Sequence, residues 1–260
     1  MDKEVADGLY AHAETHWWNR SRRRIVRSLL ERYVVGGRPL ILDLGCGVGT
    51  HLNMLSEIGE VWGADPSPLE LDYCRSRFSG RLDCISLPDQ VPYEDKTFDV
   101  VVMLDVLEHI EDDAGALACI RDILKPGGVL LLTVPALNWL WTQYDVHAHH
   151  YRRYHRRPLL TLLQKAGFQI RLLSYMNFFL FPLMAASRVL LPGSFWNAKQ
   201  MTGRGNNRMV RGLFEALFSF ERHLLPWVRL PIGGSLVAVA ARPVKAAPAQ
   251  EPPRLRRRAG

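Results

Sequence analysis

A glycine-rich stretch of ten residues, Leu42 to His51, has the residue types and spacing best suited to bind a ligand in this 260-residue chain. Its three glycines, Gly45, Gly47 and Gly49, follow an apolar run and precede a helical apolar pattern. Glycine allows the backbone to turn tightly and to lie directly against a ligand. A strand, a glycine turn and a helix in this order form the junction at which open α/β sheets bind nucleotide-like ligands.

The glycine spacing and two nearby acids indicate which ligand this turn would hold. A dinucleotide site requires G-x-G-x-x-G facing a pyrophosphate, whereas this chain has G-x-G-x-G with Thr50 in the place of the third glycine. Asp43 precedes the first glycine, where a carboxylate would repel phosphate and attract an ammonium group. Asp65 ends the next predicted strand, where it can accept hydrogen bonds from two ribose hydroxyls. A ribose, a cationic amino-acid end and no phosphate describe S-adenosylmethionine.

Apolar periodicity predicts alternating strands and helices on both sides of the glycine turn. We expect strands at 39–44, 60–65, 82–87, 98–104, 129–134, 168–175 and 235–241. Helices are expected within 1–36, from the glycine turn to about residue 58, after the prolines at 66 and 68, over 112–124 and over 158–166. This alternation is typical of a parallel, doubly wound sheet with right-handed crossovers.

Composition divides the chain into five predicted segments. They are an N-terminal helical cap (1–37), an α/β core (38–175), a helical insertion (176–232), a final strand of the core (233–242) and a disordered basic tail (243–260). The insertion is too long and too apolar to be a loop. The tail is rich in Pro, Ala and Arg.

The bulk composition favours a globular cytoplasmic protein with an affinity for anions. Four cysteines lie far apart without a CxxC pair, which suits reduced thiols better than disulfides or structural zinc. The chain opens on a charged segment rather than on a signal peptide. Its net charge of +7 falls in separate arginine clusters. These are solvated faces, or they attract anionic substrates, lipid headgroups or nucleic acid.

Four motifs in this order resemble those of class I S-adenosylmethionine-dependent methyltransferases: Leu42 to Gly49, Asp65, Phe98 to Ile110, and Leu124-Lys-Pro-Gly-Gly. The likeness covers about 16–175 and returns at the last strand. It implies a Rossmann-like, seven-stranded sheet whose last strand is antiparallel. His16-Trp-Trp and His150-Tyr-Arg-Arg-Tyr are similar to a bacterial subgroup whose genes often accompany glycan or lipid biosynthesis.

The resemblance implies cofactor contacts for ten residues, two of them through their acidic side chains. Asp43 would hold the ammonium group and Asp65 the ribose. Many relatives have an acid after strand three, but this chain has Ser86-Leu87 there, so a backbone contact or another residue must serve. Trp17 and Trp18 either form a lid over the cofactor, with Arg22 reaching its carboxylate, or pack in the core. The ten residues are Asp43, Gly45, Cys46, Gly47, Asp65, Pro66, Leu87, Leu104, Trp18 and Arg22.

His109 and Asp105 are the candidate catalytic residues, because they follow the strand whose end would border the sulfonium. Methyl transfer is an in-line displacement, so most of the catalysis is positioning. A general base is needed only when the nucleophile carries a proton of high pKa. The alternative role for His109 is to cap the turn. His147, His149 and His150 are further candidates for the base, and their alternative is to be solvated on the surface.

The segment from Asp105 to His109 also resembles the Glu-x-x-Glu-His metal motif of some O-methyltransferases. Asp105, Glu108 and His109 would then bind a divalent ion that lowers the pKa of the acceptor hydroxyl. However, the first residue is Asp rather than Glu, and such residues often cap a helical turn. We therefore expect no metal and keep this set as the minority alternative.

The acceptor pocket is expected just after strand five, where related enzymes build theirs. Arg152 and Arg153 can clamp a phosphate or carboxylate, and Tyr151 and Tyr154 can stack on a sugar or ring. His150 belongs to the same set. The alternative is a structural pairing of these arginines with the early acidic segment.

The predicted insertion contains two apolar helical segments with basic flanks, and both are too short to span a membrane. They form a lid over the acceptor pocket, which we favour, or lie on a membrane surface. The expected function is methyl transfer to a small-molecule, glycan or lipid-linked acceptor, at oxygen. The alternatives are a non-catalytic cofactor-binding partner and, last, an RNA methyltransferase, since the sequence shows no RNA-binding module.

Overall fold

The computed structural model describes residues 13, 15–34, 36–88, 91–190 and 208–244, and it contains one sheet of seven strands. The strands are β1 (Leu40–Leu44), β2 (Glu60–Asp65), β3 (Arg81–Cys84), β4 (Phe98–Leu104), β5 (Leu124–Pro135), β6 (Gln169–Met176) and β7 (Ser235–Ala241). Their order is β3-β2-β1-β4-β5-β7-β6.

Eight named helices lie between the strands of the described ranges. They are α1 (Trp17–Tyr33), α2 (Leu52–Ser56), α3 (Pro68–Arg75), α4 (Asp113–Ile123), α5 (Gln143–His147), α6 (Arg156–Lys165), α7 (Phe181–Leu190) and α8 (Arg208–Leu224). Single turns of 3₁₀ helix follow β4 (Leu107–His109) and β5 (Asn138–Leu140). None of the helices that the structure describes is long and apolar enough to cross a bilayer.

The first five strands pair in parallel, and β7 is inserted antiparallel between β5 and β6. The central strand β4 is a continuous apolar run apart from Asp99, because both of its faces are covered. The predicted fold class, a doubly wound Rossmann-like sheet with an antiparallel last strand, is therefore confirmed.

Two predicted strand boundaries differ from the structure. Strand β3 ends at Cys84 rather than at residue 87. Strand β5 begins at Leu124, directly after α4, although Lys125-Pro-Gly-Gly predicted a break there. The reason is a long-range pairing: the N–H of Gly127 donates to the carbonyl of Arg242 at 2.8 Å, and the N–H of Arg242 donates to Gly128 at 2.9 Å. The chain beyond β7 thus pairs with both glycines and continues β5 through them, although Gly127 has a φ of +82°.

The first and last named helices of the described chain, α1 and α8, pack side by side. Phe218 of α8 lies against Trp18, with ring centroids 4.7 Å apart, and Phe214 lies against Trp17 at 5.7 Å. The Ser219 hydroxyl donates to the Ser21 hydroxyl at 3.1 Å. Within the predicted 1–36 helix, the described α1 covers 17–33. Most of the predicted basic tail, 245–260, lies outside the described residues, and the five segment boundaries stay a prediction.

Candidate active site

The glycine turn after β1 adopts a backbone that requires glycine. Gly45, Gly47 and Gly49 have φ values of +76°, +53° and +79°. The N–H groups of Gly45 and Cys46 both donate to the carbonyl of Ala64, at 2.7 and 3.0 Å, which fixes the turn against β2. A Cβ on Gly45 would lie 2.3 Å from a methyl group of Val106, so the chain after β4 closes on the turn.

Asp43, at the end of β1, is a buried carboxylate with an unused acceptor. Its exposure is 2%, and its Oδ2 atom has no hydrogen-bond partner within the part of the chain that the structure describes. Burial raises the pKa of Asp43 to about 7, with Asp65 adding to the rise and Arg22 opposing it. A buried acceptor without a donor is costly. The ammonium group of an amino-acid-like ligand would supply both the donor and the charge.

Asp65, at the end of β2, joins the glycine turn to the next loop. Its carboxylate accepts from the N–H of Gly47 at 2.8 Å and from the N–H of Ser67 at 2.9 Å. The cap of α3 is Ser67, whose hydroxyl accepts from the N–H of Glu70, so Asp65 is not the helix cap. The N–H of Ile85 donates to the backbone carbonyl of Asp65, which brings the segment with Leu87 beside it. This position fits ribose binding.

Glu70 is a residue at this site that sequence reasoning missed. A Cβ built on Gly47 would lie 3.3 Å from its carboxylate, so Glu70 borders the glycine turn. Burial, and secondly Asp65, raise the pKa of Glu70. Its sequence signal was weak, because an acid in the first turn of a helix is ordinary.

Arg22 reaches from α1 to the carboxyl ends of β4 and β5. Its guanidinium lies 2.8 Å from the Asp105 carboxylate and donates to the Thr133 hydroxyl at 3.1 Å. Thr133 in turn donates to Asp105 at 3.0 Å. Asp105 has a φ of +53°, a strained backbone conformation of the kind that is concentrated at functional sites. Sequence reasoning missed Thr133, although it is the one hydroxyl in the apolar run of β5.

The remaining predicted cofactor residues lie around the glycine turn or, in the case of Trp18, on helix α1. Cys46 and Leu104 are buried, Leu87 is half-buried and Pro66 is exposed at the end of β2. Trp18 is half-buried, and its ring packs against those of Trp17 and Phe218. This packing corresponds to the core alternative, and the lid role of Trp18 stays a prediction. A cofactor carboxylate at Arg22 would share the guanidinium with Asp105.

His109 lies beside a second histidine that a buried acid orients. The rings of His109 and His150 are 4.6 Å apart, edge to face. Burial, followed by His150, lowers the pKa of His109, which favours the neutral, proton-accepting form of its imidazole. The Nδ1 atom of His150 lies 2.9 Å from the Asp145 carboxylate. Burial favours protonation of Asp145, but hydrogen bonds from His150 and Arg153 outweigh it and lower its pKa.

Glu108 is the second buried carboxylate with unused acceptors. Its exposure is 0%, and neither carboxylate oxygen has a partner among the described residues. Burial, and then Asp105, raise its pKa well above the usual range. Ligand atoms of Glu108, His109 and His150 lie within 4.8 Å of one another, close enough to share a cation. Asp105, which the sequence alternative included, is paired with Arg22 and does not belong to this group.

The predicted acceptor residues include side chains that pair with acids of the protein and one tyrosine that is exposed. Arg153 makes two hydrogen bonds to Asp145, at 2.7 and 3.0 Å. Arg152 lies 2.9 Å from Asp113, which also accepts from the buried Tyr154 hydroxyl at 2.9 Å. The exposed tyrosine is Tyr151. Among the described residues, the acidic partners of these arginines are Asp145 and Asp113. The early acidic segment lies outside the described residues, so that alternative stays a prediction.

Comparison with known proteins identifies the family to which this site belongs. The model of a family described as a methyltransferase domain matches residues 18–173. The chain belongs to this family. It is a class I S-adenosylmethionine-dependent methyltransferase, as the motifs predicted, and the predicted cofactor and enzyme class are confirmed.

The similar proteins agree with this assignment. A Mycolicibacterium smegmatis protein, named as an S-adenosylmethionine-dependent methyltransferase, is 30% identical over 163 residues, 61% of this chain and 62% of the relative. The human mitochondrial ubiquinone biosynthesis O-methyltransferase is 34% identical over 142 residues, 48% of this chain and 38% of the relative. The chain thus spans less than two thirds of these relatives.

A solved structure supports the fold over nearly the whole methyltransferase. It comes from a Haloferax volcanii complex that contains the Trm112 methyltransferase activator. The TM-score is 0.63 at 21% identity, with 92% of this chain and 95% of that chain covered. At this identity the likeness shows the architecture alone.

Proposed function

We propose that this methyltransferase methylates a hydroxyl oxygen of a small-molecule, glycan or lipid-linked acceptor. The observation that carries the proposal is the position of His109, in the 3₁₀ turn after β4, with its ring edge to face against the oriented His150. A hydroxyl needs a base to take its proton, whereas a carboxylate does not. The similarity to a ubiquinone biosynthesis O-methyltransferase supports oxygen as the methylated atom.

The residues at the carboxyl ends of β1 and β2 would hold the cofactor. Asp43 would accept from its ammonium group, Asp65 would bind the ribose hydroxyls, and the backbone around Cys46 would line the methionine part. S-adenosylmethionine supplies an electrophilic methyl group when bound. These residues would bind and orient the cofactor, and the residues after β4 and β5 would carry out the proton transfer.

The residues after β4 and β5 would manage the acceptor proton. His109 would take the proton of the acceptor hydroxyl onto a ring nitrogen as the oxygen bonds to the methyl carbon and the sulfur–methyl bond breaks, with S-adenosylhomocysteine as the leaving group. His150, held by Asp145, fixes the edge of the His109 ring and so sets its direction. Tyr151, exposed next to this pair, would contact the acceptor.

The test separates cofactor binding from proton transfer. We expect calorimetry to show that S-adenosylhomocysteine binds the full chain. In a second assay, a panel of acceptors that contains a catechol, a prenylated phenol and a glycoside is tested for transfer of a tritiated methyl group. His109→Gln should lower kcat by roughly 10²–10⁴-fold, with unchanged affinity for S-adenosylhomocysteine. An unchanged kcat would remove His109 as the base. Absence of S-adenosylhomocysteine binding would overturn the proposal itself.

A second candidate is the same reaction assisted by a divalent cation. The specific observation in its favour is Glu108, whose two buried oxygens lie beside His109 and His150 and have no hydrogen-bond partner in the described ranges. A cation there would lower the pKa of the acceptor hydroxyl. Activity that survives EDTA treatment and dialysis would exclude this candidate. Loss of activity, recovery with Mg²⁺ or Mn²⁺, and loss of Mn²⁺ binding in Glu108→Gln would establish it.

We further propose a cytoplasmic enzyme that contacts membranes peripherally and does not act on RNA. The described cysteines are thiols rather than disulfides, which supports a reducing compartment. Several arginines of the first cluster are paired, Arg20 and Arg24 with Glu215 and Arg27 with Glu31, which weakens the case for an RNA surface.

A further inference from the structure

Helix α8 turns an apolar stripe away from the protein. Met209, Leu213, Ala216 and Phe220 are spaced by four, three and four residues, so they lie on one face of the helix. All four are exposed, with Leu213 at 57% and Phe220 at 52%. The opposite face packs on α1 in part through polar groups, such as the Ser219–Ser21 hydrogen bond. A surface helix normally turns its apolar face inward.

The stripe continues toward the carboxyl ends of the strands. Phe179, just after β6, is 36% exposed, and its ring lies 5.9 Å from that of Phe220. Leu183 of α7 is 50% exposed. Trp139, just after β5, is 51% exposed and lies 5.9 Å from the ring of Phe181. We call the set Trp139, Phe179, Leu183, Leu213 and Phe220 the apolar rim.

Helix α8, which carries Leu213 and Phe220 of the apolar rim, is a basic helix. It contains three arginines and two glutamates. Glu215 is paired with Arg20 and Arg24, and the buried Glu221 accepts from the N–H groups of residues 177–179. Both acids of α8 are therefore engaged inside the protein. Arg208 at the start of α8 is exposed, which leaves a basic border for anionic groups.

We infer that the apolar rim is a docking surface for a bilayer of anionic phospholipid. A set of exposed apolar side chains beside the arginines of α8 matches the lipid interface in both hydrophobicity and charge. Docking there would bring the ends of β5 and β6 to the headgroups. The inference extends the proposed function, because it names the surface through which an enzyme with a lipid-linked acceptor would contact the membrane. The evidence for this surface does not depend on methyl transfer.

The experiment is cosedimentation of the full chain with phosphatidylglycerol vesicles and with phosphatidylcholine vesicles. We expect binding to the phosphatidylglycerol vesicles, weakened by NaCl. The double variant Leu213→Ser/Phe220→Ser should lose at least tenfold in affinity, about 1.4 kcal/mol, because two large apolar side chains no longer leave water on binding. Leu69→Ser is the matched control, since Leu69 is 54% exposed on α3, away from the rim, and should bind like the wild type.

Four results would overturn the inference. They are no binding of the wild type, equal binding to both kinds of vesicle, unchanged binding of the double variant, and a dimer in solution that the double variant converts to a monomer. The last result would assign the rim to a second copy of the chain. Calorimetry with S-adenosylhomocysteine checks that the variants fold. It also distinguishes failure of this inference from failure of the proposed function, because cofactor binding and vesicle binding are measured separately.

Discussion

The two ends of the active site are built by different means. The cofactor end consists of the glycine turn with Asp43 and Asp65, residues close in sequence whose backbone already creates the binding surface. The acceptor end brings His109 against His150 across 41 residues, and it depends on side-chain pairs such as Asp145 with Arg153. One end is a local backbone structure, and the other is an assembly of loops.

The buried acids Asp43 and Asp145 differ in how completely the protein satisfies their charges. Within the described residues, Asp43 keeps an oxygen without a hydrogen-bond donor and has a raised pKa, whereas Asp145 is held by His150 and Arg153 and has a lowered pKa. Asp43 needs a ligand group to complete it, as does Glu108 beside His109, but Asp145 is complete in the protein alone. Each of the following changes tests this difference, in order of expected size.

Replacing the acid at the acceptor end should cause the largest loss of stability. Asp145→Ala leaves the guanidinium of Arg153 buried without its partner, and breaking a buried pair costs about 3–5 kcal/mol. Urea unfolding measures the change. Asp113→Ala, which breaks a more exposed pair with Arg152, is the control and should cost less. A loss below about 1 kcal/mol for Asp145→Ala would mean that the acceptor end is not preassembled.

Replacing the acid at the cofactor end should weaken binding and at the same time stabilise the ligand-free protein. Asp43→Asn removes a charged hydrogen bond to the ligand, worth about 1.5–3 kcal/mol, so affinity for S-adenosylhomocysteine should fall roughly 10–100-fold. It also removes a buried carboxylate with an unused oxygen. Calorimetry and urea unfolding measure the two effects. Asp99→Asn, paired with Lys125 at the amino end of β4, should leave the affinity unchanged.

The stability gain in Asp43→Asn should depend on pH. The folded pKa of Asp43, about 7, lies above its ordinary value of 3.8, so the protonated carboxyl favours folding most below the ordinary value. That contribution is lost as pH rises from about 4 to about 7. The difference between Asp43→Asn and the wild type should therefore grow over this range in unfolding experiments. A constant difference would show that Asp43 is ionised throughout.

The smallest stability effect is expected at Arg152, which is the better residue for testing the predicted acceptor clamp. Its side chain is 34% exposed, and such a pair with Asp113 contributes about 0.2–1 kcal/mol. Arg152→Ala should thus remain folded. We expect the acceptor KM to rise far more than the cofactor KM. Equal changes in the two constants would refute the clamp.

Sequence patterns predicted the glycine turn well, because its signals are local. Glycines with positive φ, an acid before them and an acid at the end of β2 are all visible as residue types at fixed spacing. The seven strands and the antiparallel last strand followed from the family resemblance, whereas the order of the strands came from the structure. The family model and the similar structure confirm the fold and the cofactor.

The acceptor end was predicted less well, because its pairs join distant parts of the chain. Arg152 and Arg153 stood out in sequence as free cations, but their partners, Asp113 and Asp145, show no pattern that marks them. The outward stripe of α8 was likewise visible only as amphipathicity. Which side faced inward depended on the packing against α1.

The sequence by itself determined the fold class, the glycine turn and the cofactor, since backbone conformation and short-range spacing encode them. Only the tertiary structure decided which charges are satisfied. It left Asp43 and Glu108 with unused acceptors, tied Arg22 to Asp105 and Arg153 to Asp145, and exposed the apolar rim. The physical reason is that the free energy of a buried charge depends on the groups that folding places around it.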